Sequence, residues 1–322
     1  MLTPLALIAR RWTPSPRTLR RATLAAVAMS VLIIVTGGAV RLTGSGLGCD
    51  TWPKCTDDSL FATPEEGIHG AIEFGNRLLT YVLSAAVGWA IVASRSVKPR
   101  RRRLSRLAWA QFWVVVLNAV LGGITVWMEL NPWIVAVHFI AANLLLTVAT
   151  LTWIRAGEGD GAPRPRVPGP VRKLGWALVA ASAVLIVAGT GVTGSGEHAG
   201  DSSDVPRMPF DYERVAQVHA AFAWLVCVLA IAMFFVLRVV DAPDDIRARA
   251  RDLLLVLLAQ GGIGYVQYFT GVPEILVGAH MLGSALLWVA VLRLALTMRE
   301  RPKTAVPPPL VRSDNPELSA TV

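Results

Sequence analysis

Charge is what this chain has least of for its size. Only 16% of its 322 residues are Asp, Glu, Lys or Arg, against about 25% in soluble domains. That shortage excludes an ordinary soluble globular domain. Stretches of roughly 20 apolar residues supply the alternative, because each is long enough to cross a bilayer. Acids are missing from the N-terminal tail, which carries Arg10, Arg11, Arg17, Arg20 and Arg21. The first apolar stretch, Leu5 to Ala9, is too short for a cleavable secretory signal. Histidine and cysteine are also scarce, at five and three residues, so a zinc or copper site needing three or four donors finds few of them.

What is present is a set of eight apolar spans, read at about 22–42, 72–94, 107–128, 132–154, 174–194, 213–237, 252–271 and 274–297. The loops between them alternate in charge. Basic residues gather in the tail, between Arg95 and Arg106, in a linker (Arg155, Arg164, Arg166, Arg172, Lys173) and from Arg238 to Arg251. The other loops are acidic: Asp50, Asp57, Asp58, Glu65 and Glu66 in one, Glu197, Asp201, Asp204, Asp211 and Glu213 in another. The positive-inside rule puts both termini in the cytoplasm and the acidic loops outside. Topology thus accounts for the net charge of +9, and no nucleic-acid partner is expected. The Arg-rich tail has something of an organellar transit peptide, a reading that topology makes unnecessary.

The fold expected is an all-α membrane protein of two pseudo-symmetric four-helix bundles. A tail (1–21) precedes a first half (22–156), then come a Gly- and Pro-rich linker (157–172), a second half (173–298) and a tail (299–322) that reads as disordered. Thr43-Gly44-Ser45-Gly46 closes the first span and Thr193-Gly194-Ser195-Gly196 the fifth. Leu121-Gly122-Gly123-Ile124 resembles Gln260-Gly261-Gly262-Ile263. Glycine pairs alone are ordinary close-packing sites; with His138 and His280 each about six residues into the fourth and eighth spans, three matches in one order indicate a parallel repeat.

Asn76, His138, His219 and His280 lie five to seven residues past the starts of the second, fourth, sixth and eighth spans. All four are roughly 8–10 Å into the bilayer at 1.5 Å per residue. An imidazole there is costly without a partner, a water-filled cavity or a metal. A hydrogen bond between helices would satisfy any one of them. Matched histidines on facing spans instead suggest bis-histidine haem ligation by His219 and His280. Glu73, Asn76 and Arg77 share one helical face, where Glu73 either forms an ion pair with Arg77 or exchanges protons near His138. Cys49 and Cys55 flank Trp52-Pro53 in the first acidic loop and are most simply a disulfide, structural or redox-active. Cys227 reads as inert core, and His69 is near enough to the second span to stand in as a ligand. Arg41 either pairs with an acidic cofactor edge or snorkels. Gln111, Asn118, Gln260 and Gln267 read as interhelical hydrogen-bonding residues.

The run Gly37 to Cys49, then Trp52-Pro53-Lys54-Cys55, then Ile72-Glu73-Phe74-Gly75-Asn76-Arg77, resembles the haem A synthase family. The resemblance covers essentially all eight spans. It implies oxidation of the C8 methyl of haem O to the formyl of haem A, by two hydroxylations and loss of water, to supply aa3-type terminal oxidases. It implies a resident haem b between His219 and His280, the substrate haem O at His138, and Glu73 as the catalytic carboxylate. Arg77, Arg41 and Asn76 become candidate cofactor contacts, and the Cys49–Cys55 disulfide a candidate link to electron transfer. Haem O synthase and oxidase assembly factors are candidate partners, besides the lipid bilayer and a second copy of the chain. The chain departs from the family's usual Glu-x-x-His-Arg, having Asn76 in place of the histidine. It also has no cysteine pair in the second acidic loop, and reads His219-Ala220 where His-Arg is usual. A non-catalytic di-haem electron carrier is the alternative, and a small-solute transporter rests on the repeat alone.

Overall fold

The computed structural model describes residues 4–198, 200–201 and 205–302. A short helix, α1 (Pro4–Arg11), precedes α2 (Pro16–Leu42), α3 (Gly67–Ser96), α4 (Arg102–Trp127) and α5 (Pro132–Ala156). The second half holds α6 (Gly169–Ser195), α7 (Tyr212–Val239), α8 (Asp244–Phe269) and α9 (Glu274–Thr297). Helices α2 to α9 are each long and apolar enough to cross a membrane. The chain is therefore an all-α, multi-pass membrane protein. Its shortest spanning helix has 24 residues and so extends about 36 Å at 1.5 Å per residue, more than the ~30 Å hydrocarbon core. Helix ends accordingly project beyond the apolar runs. The largest difference is α8, which begins at Asp244 and carries Arg247, Arg249 and Arg251 in its first turns. Hydropathy marks where the helix meets lipid, whereas backbone hydrogen bonding continues past that point.

Local sequence sets the starts. Ser15 accepts from the Thr18 N–H at 3.1 Å ahead of Pro16. Asn131 accepts from the Trp133 N–H at 3.1 Å ahead of Pro132, and Asp211 accepts from the Arg214 N–H at 2.9 Å. Each cap satisfies a helix donor that has no intrahelical partner. The α4–α5 and α8–α9 turns are built alike, closed by Leu130 N–H to Thr125 O at 2.9 Å and Val272 N–H to Gln267 O at 2.8 Å.

Each half is a square of four helices. α2 and α4 both pack on α3 and on α5, so α3 and α5 stand on the diagonal. α6 and α8 pack in the same way on α7 and α9. Leu83, Val87 and Leu145 fill the first square, and Leu178, Met233, Leu253 and Leu287 the second. A third cluster joins the squares through Ile34 of α2, Leu146 of α5 and Trp288 of α9. Within that seam the Trp288 indole N–H donates to Thr147 Oγ1 at 2.8 Å.

The linker and the start of the last tail are more ordered than composition suggests. A two-residue strand β1 (Arg164–Pro165) pairs antiparallel with β2 (Arg299–Glu300). Gly159 N–H donates to Arg301 O at 2.8 Å, and Arg166 reaches Asp245 at 2.6 Å. Backbone pairing, which composition does not reveal, therefore orders 299–302. The rest of the tail read as disordered, including Pro307-Pro308-Pro309, lies outside the described residues.

Candidate functional site

The diagonal helices α7 and α9 bring His219 and His280 to face each other across the second half, with ring centroids 6.3 Å apart. Each ring lies on a glycine of the helix before it. A Cβ added at Gly189 of α6 would sit 3.2 Å from His219 Cε1, and one at Gly264 of α8 would sit 3.1 Å from His280 Cε1. In both cases the Cε1–Nδ1 edge of the ring meets the glycine. Gln260 of α8 donates its amide N–H to the His280 carbonyl at 2.7 Å. Neither Nδ1 has a partner of hydrogen-bond geometry, although the Leu185 carbonyl interacts with His219.

The first half repeats part of this arrangement. His138 of α5 lies on Gly122 of α4, where an added Cβ would be 3.4 Å from Cε1, and its Nδ1 is also buried without a partner. In each half the glycine comes sixteen residues before the histidine, Gly122 with His138 and Gly264 with His280. The glycine equivalent to Gly122 is thus Gly264. The match of Gly122-Gly123 to Gly261-Gly262 is out of register, and open space surrounds both of those second-half glycines. On α3, Asn76 takes the place of a facing histidine. Its Oδ1 accepts from Thr36 Oγ1 of α2 at 2.8 Å.

Glu73, one turn before Asn76, and Arg77, the residue after it, form an ion pair, and together they anchor the first acidic loop. Glu73 is buried, with Oε2 accepting from the Cys49 N–H at 2.8 Å and Oε1 from Arg77. Arg77 Nη1 donates to the carbonyls of Thr51 at 3.0 Å and Lys54 at 2.9 Å. The loop these bonds hold is closed by a Cys49–Cys55 disulfide. From it Trp52 reaches α4, edge-on to Trp127 at 5.5 Å. Its indole covers Gly123, where a Cβ would collide at 2.6–2.9 Å. Trp52 and His138 thus rest on adjacent glycines.

Arg41 lies in the last turn of α2. Its Nε donates to His198 O and its Nη2 to Thr193 O, both at 2.7 Å, so it joins the end of α2 to the end of α6 and the loop that follows. His198 Nε2 in turn pairs with Val272 O at 2.9 Å. His69 lies in the first turn of α3 with Nδ1 bonded to Ser45 at 2.9 Å. Cys227 is a free, partly buried thiol packed against the second-half core.

A family model described as cytochrome oxidase assembly protein matches residues 20–292. Among similar proteins, Heme A synthase of Symbiobacterium thermophilum is 28% identical over 270 residues, covering 77% of this chain and 85% of the relative. Heme A synthase of Methylorubrum populi is 30% identical over 301 residues, with 76% and 77% covered. That of Methylobacterium radiotolerans is 27% identical, covering 84% and 87%. The chain belongs to the haem A synthase family of cytochrome oxidase assembly proteins.

For a haem A synthase the donor set is chemically apt. Among the described residues no three His, Cys, Asp or Glu side chains gather to hold a bare metal ion. Two facing imidazoles suit an iron whose remaining ligands come from a macrocycle. Two metal–imidazole bonds of about 2 Å, with the ring radii behind them, span about 6 Å between centroids, close to the 6.3 Å observed. The bare glycine under each ring supplies the clearance. Sequence reasoning missed Thr36 and Gly264, and named Trp52 only as a neighbour of the cysteines. The sixteen-residue spacing was a usable signal for Gly264; the Thr36 contact needed the packed helices.

Proposed function

We propose that this chain lies in the plasma membrane with its acidic loops outside and both termini in the cytoplasm, and oxidises the C8 methyl of haem O to the formyl of haem A. The loop charges support the orientation, and family membership supports the reaction. The observation that carries the site assignment is the His219–His280 pair, facing at 6.3 Å with a glycine under each ring. These two residues hold a resident haem b, and His138 holds haem O in the first half. The resident haem supplies one-electron redox chemistry in a water-poor interior.

The remaining work falls to the chain's own groups. Gln260 fixes the height of His280 through its carbonyl. Trp52 covers the Gly123 side of the first-half site and limits water there. Glu73 exchanges a proton at Oε2, which accepts one bond from the Cys49 N–H and retains a second lone pair. Arg77 orients this carboxylate by holding the other oxygen. A di-haem electron carrier fits less well, because Asn76 stands where a second first-half imidazole would be needed.

Haem extracts from paired strains with and without this chain test the assignment. The strain lacking it should accumulate haem O and contain no haem A. Unchanged haem A would refute the reaction.

A further inference from the structure

We infer that the first-half site holds its haem through one axial ligand, His138, and leaves the opposite face of the iron without a ligand from the protein. This rests on the reading of the first half as a haem site, and goes beyond it by fixing how many bonds the site makes. The comparison is internal. α3 and α5 stand on the diagonal of their square as α7 and α9 do, and it is across the second diagonal that His219 meets His280. His138 and His280 follow their glycines at identical spacing, which leaves Asn76 as the residue opposite His138.

Asn76 also points where His219 points, toward the first helix of its own half. His219 rests on Gly189 of α6. Aligned on Thr43-Gly44 and Thr193-Gly194, the matching residue of α2 is Ala39. Asn76 bonds to Thr36, one turn from it. A carboxamide nitrogen has no free lone pair to give. The carboxamide oxygen is a hard donor better suited to calcium or magnesium than to haem iron, and here it accepts the Thr36 hydroxyl. Thr36, whose one hydroxyl hydrogen lies between Asn76 Oδ1 at 2.8 Å and Leu32 O at 3.0 Å, is thus a positioning residue that keeps the amide turned toward α2.

No neighbour on α3 replaces the missing imidazole. His69 lies seven residues earlier, about 10 Å along the helix, and its Nδ1 is bonded to Ser45. Glu73 and Arg77 are committed to each other and to the disulfide loop. A site with one bond to iron gives up its haem more readily than a site with two. That difference suits a half that must exchange substrate for product while the other half keeps its cofactor.

Carbon monoxide tests this directly. The purified full-length chain is loaded with iron protoporphyrin IX, reduced and titrated with the gas, which binds ferrous haem only at an open axial position. The wild type should take up CO at one of its two haems. Asn76→Leu should leave that uptake unchanged, because the amide is not a ligand. Asn76→His should abolish it and convert the ferric high-spin signal to low-spin. Two low-spin, CO-inert haems in the wild type would overturn the inference. So would CO uptake that appears only in Asn76→Leu or only in His69→Ala, since the altered residue would then have been the second ligand. A chain that binds a single haem, in an amount His138→Ala does not change, would instead defeat the first-half site itself.

Discussion

Where α7 carries His219 between Ala216 and Ala220, α3 carries Asn76 between Glu73 and Arg77. The second half therefore has the imidazole flanked by inert methyl groups, and the first half has an ion pair flanking an amide. The same exchange runs through the neighbouring helices. Tyr265 follows Gly264 beneath His280 and accepts the Trp224 indole N–H at 3.0 Å. Gly123 follows Gly122 beneath His138 and leaves space that Trp52 enters from the loop. Gln260 and Asn118 occupy matching positions, but the longer amide reaches the histidine's own carbonyl and the shorter one bonds Ala141 O at 3.1 Å. On the proposed assignment, one half would retain a group and the other would admit and act on one.

The comparison breaks most visibly if the retaining half loses a ring. His219→Ala or His280→Ala should remove the tightly held haem b, seen as loss of its bands in the purified protein, while His138→Ala should spare it. Equal loss from all three would mean that the halves do not hold separate groups.

A smaller structural change should sharpen the contrast on the acting side. Glu73→Gln keeps an acceptor for the Cys49 N–H and leaves the haem b bands intact. It removes the group that exchanges a proton, so haem A yield in a complemented deletion strain should fall by about 10²–10⁴-fold. Full yield would exclude the carboxylate from proton transfer. Replacing Glu73 by alanine is less informative, because it also removes the oxygens that accept from the Cys49 N–H and the Arg77 guanidinium.

The smallest effect is expected at Gln260. Its interhelical hydrogen bond contributes about 0.6 kcal/mol on the scale measured in membranes. Gln260→Ala should lower the temperature at which the haem b Soret band is lost by a few degrees or less. Asn118→Ala, at the matching place in the other half, should leave that temperature unchanged. A comparable shift from Asn118 would show that the halves melt together.

Much of this contrast is legible in the sequence, because it depends on distance along a helix. The height of the four facing positions follows from counting residues past each span start, and the ion pair from i, i+4 spacing. What the chain order hides is contact across the bundle. Glu73 reads from spacing as an ion-pair partner of Arg77 or a proton exchanger near His138, and only the packed structure adds the Cys49 N–H at one oxygen. The glycine pairs look equivalent in sequence because their flanking residues match, yet contact with the histidine selects Gly264 over Gly261. The linker's glycines and prolines suggest a loose tether, and only the packed structure reveals that Val167 and Val171 are buried.

The Arg41 link between the halves has a consequence for variation. All of its acceptors, and that of His198 beyond it, are main-chain carbonyls: Thr193, His198 and Val272. A guanidinium that grips carbonyls responds to the path of the chain and is indifferent to which side chains decorate it. The Arg41 contact therefore tolerates a change of side chain at Thr193, whereas the contacts beyond it do not share that freedom, since the His198 ring reaches Val272 O and the Asp201 carboxylate accepts from the Leu47 N–H.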